Sequence, residues 1–392
     1  MSDKFKLYMG ANQPVGRVCT RCVMDESDPN ICFDQNGVCN HCHDRDVLVA
    51  ELAGTVKGPE ALSRLVERIK RDGKGRPYDC IIGVSGGVDS SFVAYEVKRL
   101  GLRVLAVHLD NGWDSEIAVA NIHHALDRLG IELYTHVMDW EEFKDIQLSF
   151  LRAGVVDLEI PSDHAIVASV QNHAKKLGVK HTVWGYNAVS ETHLPHAWSQ
   201  GHYDYGYIRH IHREYGSGKI RTFPYLSLWD YLTNNRYNQT KTNLLDYIEF
   251  NKQKATEILA SELGWKRYGG KHHESIYTRW YQGWYLPIHW GYDKRKTHLS
   301  SLVCAGEISR ESAFKELAEP SYDPDLQAED IDYVMKKFLL SEHEFDQLMN
   351  TPRKNFNDFD TFRKFFTGAR YGAFLKVWQF FKYGVIRRPR RQ

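Results

Sequence analysis

The stretch Ser85-Gly-Gly-Val-Asp-Ser-Ser91 contains the residues of this chain that are best suited to chemistry on a phosphate. An apolar run at 79–84 precedes it and apolar residues at helical spacing follow over 89–100, so the pattern predicts a small-residue loop between a strand and a helix. Unpaired backbone N–H groups at a helix start attract phosphate, and glycines let the backbone approach it closely. The carboxylate of Asp89 would repel that phosphate unless a cation lay between them, which indicates Mg²⁺.

A second set of polar residues directly follows two other predicted strands. Asp110-Asn-Gly-Trp113 ends the strand at 104–109, and Gly185 follows the strand at 181–184. Ligands of parallel α/β sheets bind beyond the carboxyl ends of the strands, so these residues are expected to converge on the loop. For Asp110, an ordinary Asp-Asn-Gly turn is the alternative. The residues predicted from these patterns to bind ATP are Ser85, Gly86, Gly87, Asp89, Ser90, Ser91, Asp110 and Gly185.

Four of the seven cysteines form two C-x2-C pairs, Cys19 with Cys22 and Cys39 with Cys42, at a spacing typical of a zinc ribbon. Each pair presents two thiolates from a tight turn. Two such turns complete a tetrahedron around Zn²⁺ with no position open to water, so the predicted site is structural. Three other donors lie nearby in the sequence and could replace a thiolate, namely Cys32, His41 and His43.

The departure of pyrophosphate from ATP requires positive charge nearby, because negative charge develops on the leaving group in the transition state. The segment GYDKRKTHLSS at 291–301 supplies a basic cluster that is distant from the loop in sequence, as a closing lid would be. Lys294 and Arg295 are therefore predicted to act in catalysis together with Asp89. A solvated run of charges is the alternative for this segment.

These residues require a scaffold, and the chain between the loop and Trp184 alternates predicted strands with predicted helices. Such alternation predicts an α/β fold with a doubly wound parallel sheet and helices on both faces. Beyond Tyr225 the strand pattern fades and a mainly helical, aromatic-rich region follows. The predicted organisation is a zinc ribbon at 1–50, an ATP pyrophosphatase domain at 70–230 and a C-terminal substrate or partner region at 231–392.

The composition is typical of a globular protein. Of the 392 residues, 42% are hydrophobic and 26% are charged, as in globular proteins, and the N-terminal segment has no apolar core of a signal peptide, so a cytoplasmic location is expected. The net charge of +1 hides a basic end, because 361–392 carries nine Lys or Arg and no acidic residue. This end could dock a partner or a membrane surface, or pack as an ordinary terminal helix.

The loop resembles the S-G-G-x-D-S pyrophosphate loop of the ATP pyrophosphatase superfamily, whose fold is that of the adenine nucleotide alpha hydrolases. The stretch Gly185-Tyr-Asn-Ala-Val-Ser-Glu191 resembles the G-x-N-x-x-E stretch of NAD synthetase and its relatives. That resemblance implies that Asn187 binds the nucleotide and that Glu191 holds Mg²⁺ together with Asp89. The ribbon, both stretches and the DKRKTHLSS segment together resemble the N-acetyl sugar amidotransferases of surface-polysaccharide and nonulosonic-acid pathways.

This family resemblance implies a specific reaction. ATP would adenylate the oxygen of a sugar N-acetyl group, and ammonia would then displace AMP to leave an acetamidino group. No glutaminase signature is present, so the resemblance implies a separate glutaminase subunit and a cyclase-like subunit that delivers ammonia. The expected small-molecule partners are ATP, Mg²⁺, Zn²⁺ and an N-acetylated, nucleotide-linked sugar.

Two other functions fit parts of the pattern. Some tRNA thiolases combine zinc modules with a pyrophosphate loop, but they usually need a catalytic cysteine pair in the ATPase domain. Here Cys80 and Cys304 are the only cysteines outside the ribbon, so no nucleic-acid partner is expected. The third possibility is a nucleotide-binding regulator without chemistry, which substoichiometric consumption of ATP would favour.

Overall fold

The computed structural model describes residues 5–362 except 11–13, 56–57, 188–190, 228–229, 231–239 and 268–272. Within them, five parallel strands form one sheet, comprising β1 (Cys80–Gly83), β2 (Val104–Asp110), β3 (Glu132–Val137), β4 (His181–Trp184) and β5 (Thr240–Asn243). Their order is β3-β2-β1-β4-β5, which places β1 at the centre. The carboxyl end of β1, where the predicted loop begins, is therefore flanked by β2 and β4.

The described helices follow in chain order. They are α1 (Asn40–Thr55), α2 (Pro59–Asp72), α3 (Val88–Arg99), α4 (Glu116–Leu129), α5 (Trp140–Ala153), α6 (Ile160–Leu177), α7 (Tyr205–Tyr215), α8 (Lys252–Leu263), α9 (Ile276–Trp280), α10 (Arg295–Ala305), α11 (Arg310–Ala318), α12 (Pro324–Phe338) and α13 (Glu342–Met349). A π-helix, Tyr281–Trp290, continues α9 and contains Pro287, which cannot donate a helical backbone hydrogen bond.

The sheet has a buried core on each face, because successive side chains of a strand point to opposite sides. Cys80 and Ile82 of β1 pack with α2, α3, α4 and α8, whereas Ile81 packs with Val170 and Ala174 of α6. Helices on both faces of an all-parallel sheet confirm the predicted α/β doubly wound fold. The strands predicted at 79–84, 104–109 and 181–184 and the helix predicted over 89–100 are all present.

The sheet extends past the predicted domain end at residue 230, because β5 pairs with β4. This edge strand reads Thr-Lys-Thr-Asn and lacks the apolar alternation that identifies a strand. The following helix α8 packs its buried Leu259 and Leu263 on the same core as α3. Residues 240–263 therefore belong to the α/β unit.

The C-terminal region is mainly helical, as predicted, and its core is aromatic. Trp280, Tyr281, Tyr285 and Phe345 are fully buried in the same cluster as Phe143 of α5, so the two regions share one core. Ser309 and Ser341 both cap helices of this region, and Glu344 completes a capping box with Ser341. Nearly all of the basic end, from 363 to 392, lies outside the described residues.

Among the described residues, no helix is both long and apolar enough to cross a membrane.

Candidate active site and metal centre

The predicted phosphate loop lies between β1 and α3, where short polar side chains hold it in shape. The Ser90 hydroxyl accepts the backbone N–H of Ser85 at 3.2 Å and donates to the carbonyl of Gly87 at 3.2 Å. The Ser85 hydroxyl accepts the N–H of Gly87 at 3.4 Å and lies 3.2 Å from that of Ser90. Ser91, one residue on, is buried beneath the loop. The loop is thus ordered by its own residues.

The conformation of the loop requires a glycine at position 86. Its φ of 78° is one that side chains disfavour, and a Cβ there would lie 2.5 Å from the carbonyl oxygen of Ala118 in α4. The carbonyl of Gly86 accepts a hydrogen bond from the indole N–H of Trp265 at 3.0 Å, which pins the loop from a second side. Trp265 follows α8 and is buried. No signal in the sequence pointed to this indole.

The end of β4 reaches the same place. A Cβ on Gly185 would lie 3.0 Å from the carbonyl carbon of Asp89 and 3.1 Å from the nitrogen of Ser90, so the strand end contacts the first turn of α3 directly. Asn187 is buried two residues later. Residues 188–190 lie outside the described part of the chain, and Glu191 follows them, partly buried, with its carbonyl accepting from the Tyr186 hydroxyl at 3.3 Å.

Asp110 ends β2 beside the loop, and its carboxylate accepts the N–H of Gly112 at 2.9 Å, which is the Asx turn that the sequence also allowed. His108, two residues earlier, joins the strand to the loop, since its Nδ1 lies 3.0 Å from the carbonyl of Val84. Its Nε2 lies 3.3 Å from the carboxylate of Asp114. Burial opposes the charged form of His108, but Asp114 outweighs it and raises the imidazole pKa.

The four paired cysteines converge at a second site. All four are fully buried, with Sγ–Sγ distances of 3.9 Å for Cys19 and Cys42 and 3.7 Å for both Cys22 with Cys39 and Cys39 with Cys42. A tetrahedral zinc site with Zn–S bonds of about 2.3 Å requires sulfur separations of about 3.8 Å. Backbone N–H groups of Cys22 and Cys39 point at the Cys19 sulfur at 3.4 and 3.3 Å, as expected for a stabilised thiolate. This donor set fits Zn²⁺.

The nearby donors that the sequence offered as replacements lie outside the four-cysteine group. His41 pairs with Asp28 at 2.7 Å, His43 pairs with Asp34 at 3.1 Å, and Cys32 is exposed. A different cysteine and histidine, both remote in sequence, lie against the cluster instead. Cys304 and His193 each contact the Cys42 sulfur, at 3.6 and 3.7 Å.

The DKRKTHLSS segment connects the parts of the molecule. Lys296 makes a buried ion pair with Asp25 of the ribbon at 2.6 Å, and the Ser300 hydroxyl accepts the N–H of Val23 at 3.2 Å. Arg310 of α11 donates to the carbonyls of both cysteines of the first pair, at 2.9 Å for Cys22 and 2.7 Å for Cys19. The ribbon is therefore docked on the C-terminal helices through charged and polar contacts.

Lys294 lies in a group of acidic and basic side chains, with 15% of its own side chain exposed. Its ammonium lies 3.5 Å from Glu159 and 5.2 Å from the centre of the Tyr281 ring. Burial opposes its charge, but Asp157, Glu159 and Asp163 outweigh burial and raise the lysine pKa. The buried ion cluster, as we call it after its buried carboxylates Asp157 and Glu159, also contains Lys294 and the partly exposed Asp163 and His202, whose side chains are 45% and 31% exposed.

His202 is the second cation of the buried ion cluster. Its Nδ1 lies 3.0 Å from Asp163 and its Nε2 contacts the hydroxyl of Ser199, which donates to Asp157 at 2.5 Å. Burial opposes protonation, but Asp163 and Asp157 outweigh it and raise the pKa to about 9. Ser199, His202 and Asp157 are the residue types of a nucleophilic triad. However, a protonated histidine accepts no proton, and the serine hydroxyl donates its proton to Asp157. The contacts are those of an ion network.

The buried ion cluster lies beyond the same sheet edge as the loop. Helix α6 runs antiparallel to β4, and its Val170 packs beside Gly83 at the end of β1, 3.5 Å from the position of a Cβ there. At 1.5 Å rise per residue, Asp163 lies about 10 Å further out, past the carboxyl ends of the strands. Sequence patterns did not single out Asp157, Glu159, Asp163 or His202, because no spacing among them is typical of a site.

Arg295 has contacts of a different kind. Its guanidinium pairs with Asp293 at 2.7 Å and donates to the carbonyls of Glu316 and Glu319 at 2.9 and 3.0 Å, at the end of α11. It thereby satisfies carbonyl groups that a helix end leaves open. A role at pyrophosphate, as predicted from the sequence, would require these contacts to break. Lys294 is the better placed of the two predicted cations.

One segment of this chain matches the sequence model of a known protein family. Residues 274–371 match the family described as "LPS biosynthesis protein WbpG-like, C-terminal domain". This match begins at the strand-like contact of Ser275 with Asp114 and contains the DKRKTHLSS segment. A comparison with curated proteins found no match.

Three solved structures that match this chain are described by their identity, coverage and TM-score. NH3-dependent NAD synthetase from Campylobacter jejuni is 16% identical, covers 70% of this chain and 93% of its own, and gives a TM-score of 0.31. NMN synthetase from Francisella tularensis is 14% identical, with 57% and 91% covered and a TM-score of 0.28. A predicted subunit of tRNA methyltransferase from Methanocaldococcus jannaschii is 15% identical, with 46% and 75% covered and a TM-score of 0.27. Because these TM-scores are low, we assign the fold from the strand order and register of this chain.

Proposed function

We propose that this chain is an ATP-dependent amidotransferase that replaces the oxygen of a sugar N-acetyl group with ammonia-derived nitrogen. The observation that carries the proposal is the loop at the end of the central strand, whose glycines, serines and helix start form a phosphate cradle with one carboxylate, Asp89, beside it. The match of residues 274–371 to a lipopolysaccharide-biosynthesis family supports a surface-polysaccharide or nonulosonic-acid pathway.

ATP would bind with its phosphates at Ser85, Gly86, Gly87, Ser90 and Ser91, and with its nucleoside toward Asp110, Gly185 and Asn187. Asp89 and Glu191 supply the hard oxygen ligands that Mg²⁺ prefers. When bound, Mg²⁺ would offset the repulsion between Asp89 and the phosphates. The contact of Gly185 with Asp89 supports this arrangement, because it fixes the β4 end that leads to Glu191 against the loop.

The reaction balances in two steps. The amide oxygen of the sugar attacks the α-phosphorus of ATP, the bond to the β-phosphate oxygen breaks, and pyrophosphate leaves. Neutral ammonia then adds to the activated carbon, AMP leaves with the former amide oxygen, and one nitrogen-bound proton is lost. Neither step needs a strong base; both need positioned reactants and charge stabilisation. Lys294 is the cation we assign to the departing pyrophosphate, because it is charged and lies beyond the same sheet edge.

Ammonia would come from a glutaminase partner through a cyclase-like subunit, since neither cysteine outside the ribbon suits glutamine hydrolysis. Cys80 is fully buried in β1, where burial raises its pKa, and Cys304 lies against the Cys42 sulfur. The same observations disfavour a tRNA thiolase, which needs a reactive cysteine pair. ATP as a substrate favours a cytoplasmic location. The basic 363–392 end is a candidate contact for a partner or a membrane surface.

Zn²⁺ is the metal that we assign to the four ribbon cysteines. A closed site of four buried thiolates has no position for substrate, so its ion would act on folding and not on chemistry. The docking of this site through Lys296 and Arg310 means that losing the ion would loosen the contact with α10 and α11.

The test is product analysis with the full chain, ATP, Mg²⁺, an ammonium salt and a panel of N-acetylated nucleotide sugars. We expect AMP and pyrophosphate in equal amounts, and mass spectrometry should show one sugar whose oxygen has been replaced by NH. Formation of ADP and orthophosphate would rule out cleavage between the α- and β-phosphates. Sulfur incorporation into tRNA, or consumption of less than one ATP per chain, would replace the proposal with one of its two alternatives.

The ammonia source is tested separately. The isolated chain should use ammonium but not glutamine, with a rate that rises with pH because the neutral base is the nucleophile. Glutamine should become a substrate only when a glutaminase subunit is added. Hydrolysis of glutamine by the chain alone would contradict the need for a partner.

A further inference from the structure

A second group of metal-binding side chains adjoins the four-cysteine site. It consists of Cys42, which both groups share, His193 and Cys304. The Cys42 and Cys304 sulfurs are 3.6 Å apart, and the His193 Nε2 lies 3.7 Å from each of them. The three residues come from the ribbon, the segment after β4 and helix α10, so no local sequence pattern could have predicted the group.

These distances fit one face of a coordination tetrahedron. Zn–S bonds of about 2.3 Å and Zn–N bonds of about 2.0 to 2.1 Å at tetrahedral angles place ligand atoms about 3.5 to 3.8 Å apart. All three separations lie in that range, and three separations among the ribbon sulfurs are similar, at 3.7 to 3.9 Å. An ion centred below this face would have three protein ligands and one position left open.

The orientation of His193 favours metal binding. The Ser301 hydroxyl donates its proton to the carbonyl of Thr297 at 3.0 Å, so it can only accept from the His193 Nδ1, 2.9 Å away. The proton of the neutral imidazole therefore sits on Nδ1, and the unprotonated Nε2 faces the two sulfurs. A histidine whose far nitrogen is held by an oxygen acceptor is the usual arrangement of a metal ligand.

Charge favours the same conclusion. Four thiolates around one divalent ion leave a buried centre with excess negative charge, which is unfavourable in a desolvated site. A second divalent ion that shares Cys42 and adds only one further thiolate and a neutral imidazole would reduce that excess. A bridging thiolate would thus contribute electrostatic stabilisation that the single-ion site lacks.

We propose that the chain binds two zinc ions, one on Cys19, Cys22, Cys39 and Cys42 and a second on Cys42, His193 and Cys304. The second ion would join three parts of the fold at one point, because Cys304 lies in α10 and His193 lies two residues after Glu191. The ribbon would then help to position the segment that enters the nucleotide edge of the sheet. This inference does not depend on the proposed reaction.

Metal analysis of the purified full chain tests the proposal without ATP or sugar. We expect two zinc ions per wild-type chain and one in Cys304→Ala and in His193→Ala. Cys32→Ala is the matched control, because Cys32 is an exposed ribbon cysteine outside both groups, and it should retain two. One zinc in the wild type would overturn the proposal, and would mean that Cys304 and His193 only hydrogen-bond to the Cys42 thiolate. Two zinc ions that persist in both variants would overturn it as well.

A measurement on the wild type keeps the test decisive if the variants do not fold. X-ray absorption at the zinc edge should show a metal–metal scattering path at about 3.5 to 4 Å, as in other bridged two-metal sites. Absence of that path in protein with a full zinc complement would exclude the shared thiolate.

Discussion

The phosphate loop and the buried ion cluster lie beyond the same edge of the sheet and are built in opposite ways. The loop is one continuous stretch, 85–91, whose shape depends on backbone N–H groups, glycines and two serine hydroxyls. The buried ion cluster draws its residues from α6 and its lead-in segment, from the segment around His202 and from the start of α10. The first can be recognised in sequence; the second exists only when the chain is folded.

The difference has an energetic consequence. The loop keeps few charges, so changing one of them should alter chemistry with little effect on folding. In the buried ion cluster the charges compensate one another, so removing Lys294 leaves the buried carboxylates Asp157 and Glu159 with less counter-charge. Substitutions in the loop should therefore lower the reaction rate with little change in stability, whereas substitutions in the cluster should change both.

The largest expected effect is at Lys294. Lys294→Met should lower the free energy of unfolding by about 3–5 kcal/mol, because Glu159 and its acidic neighbours lose their buried cation. Adding Glu159→Gln to Lys294→Met should recover part of that loss, and urea denaturation would measure the coupling. Lys336→Met, at an exposed position of α12, is the control and should stay within about 0.5 kcal/mol of wild type. If Lys294→Met were as stable as the wild type, the proposed coupling between charges in the cluster would be wrong.

Asp89→Asn should show the reverse pattern. Pyrophosphate formation should fall on the order of 100-fold, comparable to losing one preorganised electrostatic contact. The cost in folding from the lost charge at the first turn of α3 should be about 0.3–1 kcal/mol, because that charge is favourable at the start of the helix dipole. Glu116→Gln removes a carboxylate from the first turn of α4 and should leave the rate unchanged. If Asp89→Asn retained the wild-type rate, the carboxylate would have no part in ATP cleavage.

Gly185→Ala probes the packing of β4 against the loop. The added methyl group would lie 3.0 Å from the Asp89 carbonyl carbon, a backbone atom that must move to admit it, so about 1–3 kcal/mol of overpacking is expected. The rate should fall by roughly tenfold or more as Asp89 shifts. Gly83→Ala is the matched control at the same sheet edge, where a Cβ would meet the Trp184 ring at 3.4 Å. Equal effects of the two substitutions would indicate a general loss of packing and no specific link to the loop.

Features that depend on neighbouring residues could be predicted from this sequence. The ribbon cysteines, the loop and the α/β alternation have local signals, because a metal knuckle, a helix start and a buried strand are each set by a few successive residues. The polar edge strand β5 escaped prediction because pairing with β4 defines it, and its side chains show no apolar alternation.

Features assembled from distant segments could not be predicted in the same way. Nothing in the sequence relates His202 to Asp163, or Cys304 to Cys42, since the fold alone brings them within contact. The basic run at 294–296 illustrates the limit. Its charge suggested one role, yet Lys294, Arg295 and Lys296 make separate contacts with α6, α11 and the ribbon.

The smallest expected effect is a pH dependence at His202, because 31% of its side chain and 45% of the Asp163 side chain are exposed and solvent screens their interaction. Its pKa of about 9 in the folded protein lies above the ordinary value of 6.5, because Asp163 and Asp157 outweigh burial. The stabilisation is therefore complete below about pH 6.5 and is lost as the pH rises through 9, with a slope of at most about 1.4 kcal/mol per pH unit. His202→Gln should lack this dependence, so the difference between the two unfolding free energies should shrink from pH 7 to pH 10. Neighbouring His164, whose pKa burial lowers to about 4, should give the opposite sign, with stability lost on acidification. A constant difference between wild type and His202→Gln over pH 7–10 would show that His202 is neutral, and the cluster would then hold Lys294 as its single cation.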